Sequence, residues 1–237
     1  MAAQLAPDTL QRLRKVSTDT ITGTLMKIAG MRTRAVRGVR PINPARCQFI
    51  GPAFTVRYVP IREDYIERAT PVSPGSHLYG KLDAIPSGSV VVLDMGQDDT
   101  SGALGDVIIA RLIALGVAGV VADGAMRDVS VVAQMSLPVF CRGNAPPPSP
   151  RSLFAAGVQE VIGCGGVLVE PGDTVVADGN GVAVIPRHLT DEVAHKGEEQ
   201  EAIEVWIKQQ IERGAPLAGL YPPTAEVMAK YRQQTGS

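Results

Sequence analysis

Asp106 and the pair Arg127-Asp128 are the residues of this chain whose types and spacing best suit chemistry. Twenty residues separate Asp106 from that pair in GALGDVIIARLIALGVAGVVADGAMRD. Two carboxylates suit a hard divalent cation such as Mg2+ or Mn2+, which takes oxygen ligands, often only one or two from carboxylates, and keeps several waters. An adjacent guanidinium offers a planar fork to a carboxylate or to a developing enolate oxygen. The combination suits a cation holding a small anionic substrate.

The elements that must position these groups follow from hydrophobic pattern. SVVVLDMG (Ser89–Gly96) is a short continuous apolar run and reads as a strand buried on both faces. In DVIIARLIALG, Ile108, Ile109, Leu112, Ile113 and Leu115 recur at helical spacing, and Gly116 suits a C-terminal cap. VAGVVAD (Val117–Asp123) reads as a second buried strand. Strand, helix, strand implies a crossover joining parallel strands. The helix then starts, and the second strand ends, at the carboxyl edge of the sheet, where open α/β sheets bind ligands. Asp106 falls in the first helical turn, and Arg127 and Asp128 fall just past the second strand. The helix start near Gly105 to Ile108 leaves free N–H groups that favour an anion. The same spacing equally fits an ordinary helix-start Asp and an Arg–Asp surface pair, because Asp is favoured at helix N-termini.

The chain resembles the family that contains 4-hydroxy-4-methyl-2-oxoglutarate aldolase and the regulator of ribonuclease activity A. Asp106, Arg127 and Asp128 match the D-x20-R-D motif of its aldolases, and the G-D, G-V-x-G-V-V and D-G-x-x-R-D surroundings match too. FIGPAFTVR (Phe49–Arg57) and PGDTVVADGNGVAVIP (Pro171–Pro186) also resemble family segments, so the likeness covers roughly residues 17 to 190. The family's non-enzymatic ribonuclease regulators tend to lack the Asp that follows the Arg, and this chain keeps it. The resemblance implies that Asp128 anchors a divalent metal, Mg2+ or Mn2+. Asp106 would hold its waters or relay a proton, and Arg127 would bind the oxo-acid and stabilise its enolate. Amides at Gly105, Val107 and Ile108 would hold the substrate carboxylate. It implies retro-aldol cleavage to pyruvate, with oxaloacetate decarboxylation as a side activity. It further implies a layered β/β/α swivelling-type α/β domain and a homotrimer or dimer of trimers. One position departs: several family aldolases carry Glu or Asp three residues after the Asp of R-D, where this chain has Val131. That leaves the substrate open. Two other readings remain beside the aldolase: a non-catalytic regulator binding a ribonuclease, and a sugar-acid lyase or dehydratase using the same metal site.

Bulk properties agree with a small cytoplasmic enzyme. The 237 residues fit one large domain with extensions, and a formal net charge of −1 argues against a nucleic-acid coat. No run reaches membrane-spanning length, and MAAQLAPDTLQRLRK lacks a signal-peptide apolar region. Cys47, Cys141 and Cys164 show neither paired spacing nor a zinc pattern, and Cys141, in the strand-like PVFC, reads as a packing residue rather than a nucleophile. His77, His188 and His195 show no ligand spacing.

The expected organisation is an N-terminal helical extension over 1–48, a core with a parallel βαβ unit over 49–187, and a C-terminal helical extension over 188–237. Pro7 to Gly30 reads as two helices, the second capped by Ser17 to Asp19 and ended by Gly30. The basic stretch with Arg32, Arg34, Arg37, Arg40 and Arg46 lacks interleaved aromatics and reads as a solvated or intersubunit surface. A short helix is expected over Val129–Met135, then a strand in PVFCRG whose end carries Arg142, read as a loop residue or as a contact to a second substrate carboxylate. The segment 163–166, GCGG, is not followed by a helical pattern, so it is no dinucleotide fingerprint. In the C-terminal helix, Ile203, Trp206, Ile207 and Ile211 form an apolar stripe, with a short final helix in YPPTAEVMAKYRQQ.

Overall fold

The computed structural model describes residues 5–64 and 76–236. Its strands in chain order are β1 (Arg40–Pro41), β2 (Phe49–Pro60), β3 (Val90–Asp94), β4 (Gly119–Ala122), β5 (Ala125–Met126) and β6 (Val139–Cys141). They continue with β7 (Gly143–Asn144), β8 (Leu153–Val158), β9 (Ile162–Cys164), β10 (Val167–Val169), β11 (Thr174–Ala177) and β12 (Val182–Ile185). The main sheet runs β1-β6-β4-β3-β2-β11-β12, with β8 also paired to β2. β2, β3, β4 and β6 are mutually parallel neighbours, as the crossover argument requires. β2 is long enough to serve two partners along one edge: Phe49 to Pro52 pair with β11 and Val56 to Pro60 pair with β8.

The strands alternate their side chains between two cores, the expected period of a pleated strand. Val91 and Leu93 of β3 and Val120 and Ala122 of β4 pack with Ile109 and Leu112 of the Asp106–Ala114 helix. Val90, Val92 and Val121 face the other way, against Val167, Val169, Val175 and Val184 of the second β layer. Burial of each such aliphatic side chain contributes about 1.5–3 kcal/mol. The result is the layered α/β arrangement with a parallel core expected from the sequence. β8 runs through LFAAGV just past the proline-rich loop, a strand that turn chemistry alone does not announce.

The crossover helix ends as its sequence suggests. Gly116 adopts φ 74°, and its N–H and that of Val117 close back on Ile113 O and Leu112 O at 2.9 and 3.0 Å. A glycine is required at that left-handed position. The short helix after Asp128 spans Val129–Val132 and stops before Met135, because Gln134 and Met135 close only turn-type bonds, to Val131 O and Val132 O.

The N-terminal helices Pro7–Leu13 and Thr18–Ala29 pack Leu13, Val16, Ile21 and Leu25 against β11, β12 and the first half of the Thr190–Glu212 helix. Ser17 caps the second helix through the Thr20 amide, and Gly30 ends it at φ 65°. The far half of the long helix carries its own small core, in which Ile203, Trp206 and Ile207 meet Val227 of the final Ala225–Thr235 helix. Ile211 stands 36% exposed and falls outside that stripe. The basic stretch is partly spent within the chain: Arg34, Arg37 and Arg46 donate to carbonyls of Leu168, Gly165 and Met135. Among the described residues no helix is long and apolar enough to cross a membrane.

Candidate functional site

The twenty-residue gap between Asp106 and Arg127 is closed by a ladder of backbone bonds. The segment leading into the Asp106–Ala114 helix runs beside the segment leaving β4. Ala103 N–H donates to Ala125 O at 3.0 Å, and Arg127 N–H donates to Leu104 O at 2.9 Å. On the outer side Gly102 N–H reaches Pro147 O at 2.9 Å and Ala145 N–H reaches Met126 O at 3.0 Å, while β5 pairs with β7. Gly102 must be glycine here: a Cβ would sit 2.8 Å from both Ala145 O and Arg127 N.

The ladder seats Asp128 over the start of the helix. Asp128 occupies the left-handed region at φ 51°, which Asp tolerates better than most residues. Its Oδ2 accepts from the Asp106 N–H at 3.4 Å, and Gly105 leaves the room for it, since a Cβ there would lie 2.4 Å from that oxygen. Asp106 turns its Oδ1 onto the Val107 N–H at 2.8 Å. Two amides of the first turn are therefore engaged by the site's own carboxylates, a detail the sequence expectation for Val107 did not contain. No described residue accepts from the amides of Gly105 and Ile108. Val107 itself projects outward, 78% exposed.

Gly105, Asp106, Val107, Ile108, Arg127 and Asp128 all line one open cavity of about 550 Å3, together with Tyr79, Leu82, Asp83 and Arg111. Asp106, Arg127 and Asp128, with the helix-start residues Gly105, Val107 and Ile108, thus lie at one place, at the carboxyl edge of the parallel strands. Arg142 does not join them: it lines neither this cavity nor its neighbour, and its Nη1 donates to Gln97 Oε1 at 3.3 Å. Val131 is half exposed. Asp83 is the further carboxylate lining the cavity, and it is ion-paired with Arg111 at 2.8 Å. The side chain of His77 lies outside the described residues.

Behind Arg127 lies a second, smaller cavity of about 160 Å3, which shares Tyr79, Gly105, Ile108 and Arg127 with the first. Tyr58 reaches it from β2, on the same sheet face as Phe54 and Val56. Sequence reasoning passes over Tyr58, because its position in the alternation marks only a core-facing residue.

The donor set fits a hard cation. No group of three His, Cys, Asp or Glu at metal-holding distance occurs among the described residues. Two carboxylates at an open edge match Mg2+ or Mn2+, which retain several waters, and do not match a closed zinc cage. Asp123, at the end of β4, is by contrast structural: it is 2% exposed and accepts from Met95 N–H at 2.6 Å and Gly165 N–H at 3.1 Å. Burial pushes its carboxyl above the ordinary value, against the pull of those amides. The thiols of Cys141 and Cys164 are buried and their pKa values pushed up by desolvation, that of Cys141 to about 11, which disqualifies them as nucleophiles.

Comparison with known proteins identifies the family. A Halalkalibacterium halodurans protein named "Putative 4-hydroxy-4-methyl-2-oxoglutarate aldolase" is 30% identical over 203 residues, covering 84% of this chain and 87% of its own. Protein DlpA of Legionella pneumophila is 31% identical over 179 residues, which span 76% of this chain and 28% of that longer protein. The crystal structure of Streptomyces coelicolor RraAS2, described as an unusual member of the RNase ES inhibitor RraA protein family, superimposes with a TM-score of 0.77. It has 27% identity and covers 90% of this chain and 99% of its own. A family model described as "RraA-like: Aldolase/RraA" matches residues 14–184. The chain belongs to this RraA-like family.

Proposed function

We propose that the chain is a divalent-cation-dependent lyase that cleaves a 4-hydroxy-2-oxo acid to pyruvate. The observation that carries this reading is the seating of Asp128 over Gly105, beside the helix start at Asp106 and against Arg127. Asp128 would hold Mg2+ or Mn2+, with Asp106 steadying its waters. The cation supplies positive charge where the oxo group develops negative charge. Arg127 binds the oxo-acid and neutralises the enolate as it forms, and the Gly105 and Ile108 amides at the helix start take the substrate carboxylate. The 4-hydroxyl loses its proton to a water or carboxylate at Asp106 and becomes a carbonyl. The C3–C4 bond breaks, its electron pair enters the pyruvate enolate, and C3 is reprotonated. Oxaloacetate decarboxylation delivers its electron pair to the same enolate, so one site serves both. The names of the aldolase relatives support the reaction class. The likeness to a ribonuclease-inhibitor structure supports the other membership of the family, which needs no carboxylate after Arg127.

Pyruvate release from 4-hydroxy-4-methyl-2-oxoglutarate and from oxaloacetate, with Mg2+ or Mn2+ and after chelation, tests the reading. Asp128→Asn keeps the left-handed backbone that Asn also tolerates and removes the charge. It is expected to lower kcat/KM by at least roughly a hundredfold, with the fold retained. Turnover that survives chelation refutes the cation, and unchanged turnover in Asp128→Asn refutes the site. A wild-type protein that releases no pyruvate but binds a ribonuclease assigns the chain to the regulators.

A further inference from the structure

Two buried hydrogen-bonding groups at the smaller cavity have no partner among the described residues: the Tyr58 hydroxyl and Arg127 Nε. Tyr58 is 5% exposed, so bulk water does not compensate it. An unmade bond at a buried donor costs about 1–3 kcal/mol, so such a group takes its partner from a bound water, an ion or a ligand. Both groups are donors. Arg127 Nε–H cannot accept, and burial raises the phenol's pKa, so it stays protonated. Among the described lining residues there is no Asp or Glu, and Arg127 is the one cation. The remaining walls are mostly apolar, including Leu78, Leu153 and Phe154. Two donors, one of them cationic, on residues that line one largely apolar recess suit an anion with two acceptor oxygens.

We infer that Tyr58 is a substrate-discriminating residue, whose hydroxyl acts with Arg127 Nε to hold a carboxylate-bearing arm of the substrate in the cavity behind the oxo-acid site. The inference rests on the oxo-acid reading of Arg127 and adds a second subsite to it. The volume of about 160 Å3 accommodates a carboxylate and a short methylene stem, given that a water occupies about 30 Å3. The walls shared by the two cavities, Gly105, Ile108 and Arg127 among them, place this arm next to the reacting end. Arg142, the other cation at the strand edge considered for such a role, is turned to Gln97 instead.

Calorimetric binding of 2-oxoglutarate and 2-oxopentanoate, five-carbon 2-oxo acids that differ in a terminal carboxylate, tests this in the presence of Mg2+. The wild type should prefer 2-oxoglutarate. Tyr58→Phe keeps the ring and removes the hydroxyl. It should weaken 2-oxoglutarate by roughly ten- to a hundredfold, the worth of a hydrogen bond to a charged group, and leave 2-oxopentanoate within about twofold. Equal weakening of both acids, or of neither, overturns the role of Tyr58. The wild-type preference needs no variant to fold: equal binding of the two acids ends this inference and leaves the oxo-acid site standing. Binding of neither acid, with no Mg2+-dependent exchange of the pyruvate methyl protons into deuterated water, removes the oxo-acid reading and this inference with it.

Discussion

Gly105→Ala separates the geometry of the site from the stability of the fold. The backbone at Gly105, with φ −108° and ψ −176°, is extended and open to alanine. The conflict is confined to one side chain, because the new Cβ would meet Asp128 Oδ2 at 2.4 Å and its next neighbours at 3.6 Å. Ordinary contact begins near 3.4 Å, so the carboxylate must retreat by about 1 Å. The flexible end of Asp128 can make that move at little cost to folding. The remaining penalty is that of alanine at a helix N-cap, up to about 1 kcal/mol. A displacement of about 1 Å at a group that positions reactants costs on the order of a hundredfold in rate, or about 2.7 kcal/mol of barrier. Steady-state kcat/KM for pyruvate release, measured beside urea unfolding, should show an inactive but folded variant. Gly102→Ala should lose stability as well as turnover, since its Cβ meets Arg127 Cγ at 2.4 Å and backbone at Ala145 O and Arg127 N, and the ladder that seats Asp128 must itself shift. A folded Gly105→Ala protein with wild-type kcat/KM would refute the placement of Asp128 at the reacting centre.

Asp123→Asn should change the pH dependence of stability. Burial raises the folded pKa of Asp123 above the unfolded value of about 3.9, so in the window above that value the native state holds the proton longer. Its contribution is present below the unfolded pKa and lost as pH rises through the folded one, and the wild-type-minus-variant unfolding free energy should fall from about pH 4 upward. A difference that is flat or rising across that window contradicts the buried state of Asp123. Trp206→Ala should remove about 3–5 kcal/mol from the small C-terminal core, where Trp206 stacks edge-on to Tyr231 at 5.9 Å and donates to Gln234. Hydrogen exchange over the Ala225–Thr235 helix should accelerate while pyruvate release is unchanged, because neither helix lines the site. Loss of turnover without loss of protection would tie that core to the site.

The convergence of Asp106, Arg127 and Asp128 is legible in the sequence because it follows from a local rule. A buried strand, a nine-residue helix with a glycine past its end, and a second buried strand leave one way to connect parallel neighbours. Helix start and strand end then meet at one edge whatever the rest of the chain does. Gly105 and Gly102 are visible in the sequence as glycines, but the reason for each is a close approach to a residue more than twenty positions away, which spacing cannot supply. The occupation of the Val107 amide by Asp106 is likewise a rotamer fact. Arg142 shows the opposite case: topology carries it to the correct edge, and its side chain turns to Gln97 and packs over Gly38, outside both cavities.

Tyr58 marks where pattern stops informing function. In FTVRY the alternation assigns Phe54, Val56 and Tyr58 to one face, and all three do pack in the same core. Nothing in that pattern distinguishes a tyrosine whose hydroxyl is satisfied from one left waiting. The distinction depends on β8 and the proline-rich loop, which close over the end of β2 and supply Leu153, Phe154 and Pro148 to the cavity wall. The same burial that stabilises the ring isolates its oxygen. Tyr58→Phe should therefore leave the free protein no less stable, and by up to about 1–3 kcal/mol more so, while discrimination between the two oxo-acids is lost. Opposite signs in stability and selectivity distinguish a group retained for its ligand from one retained for packing. A variant that loses both together would return Tyr58 to the core.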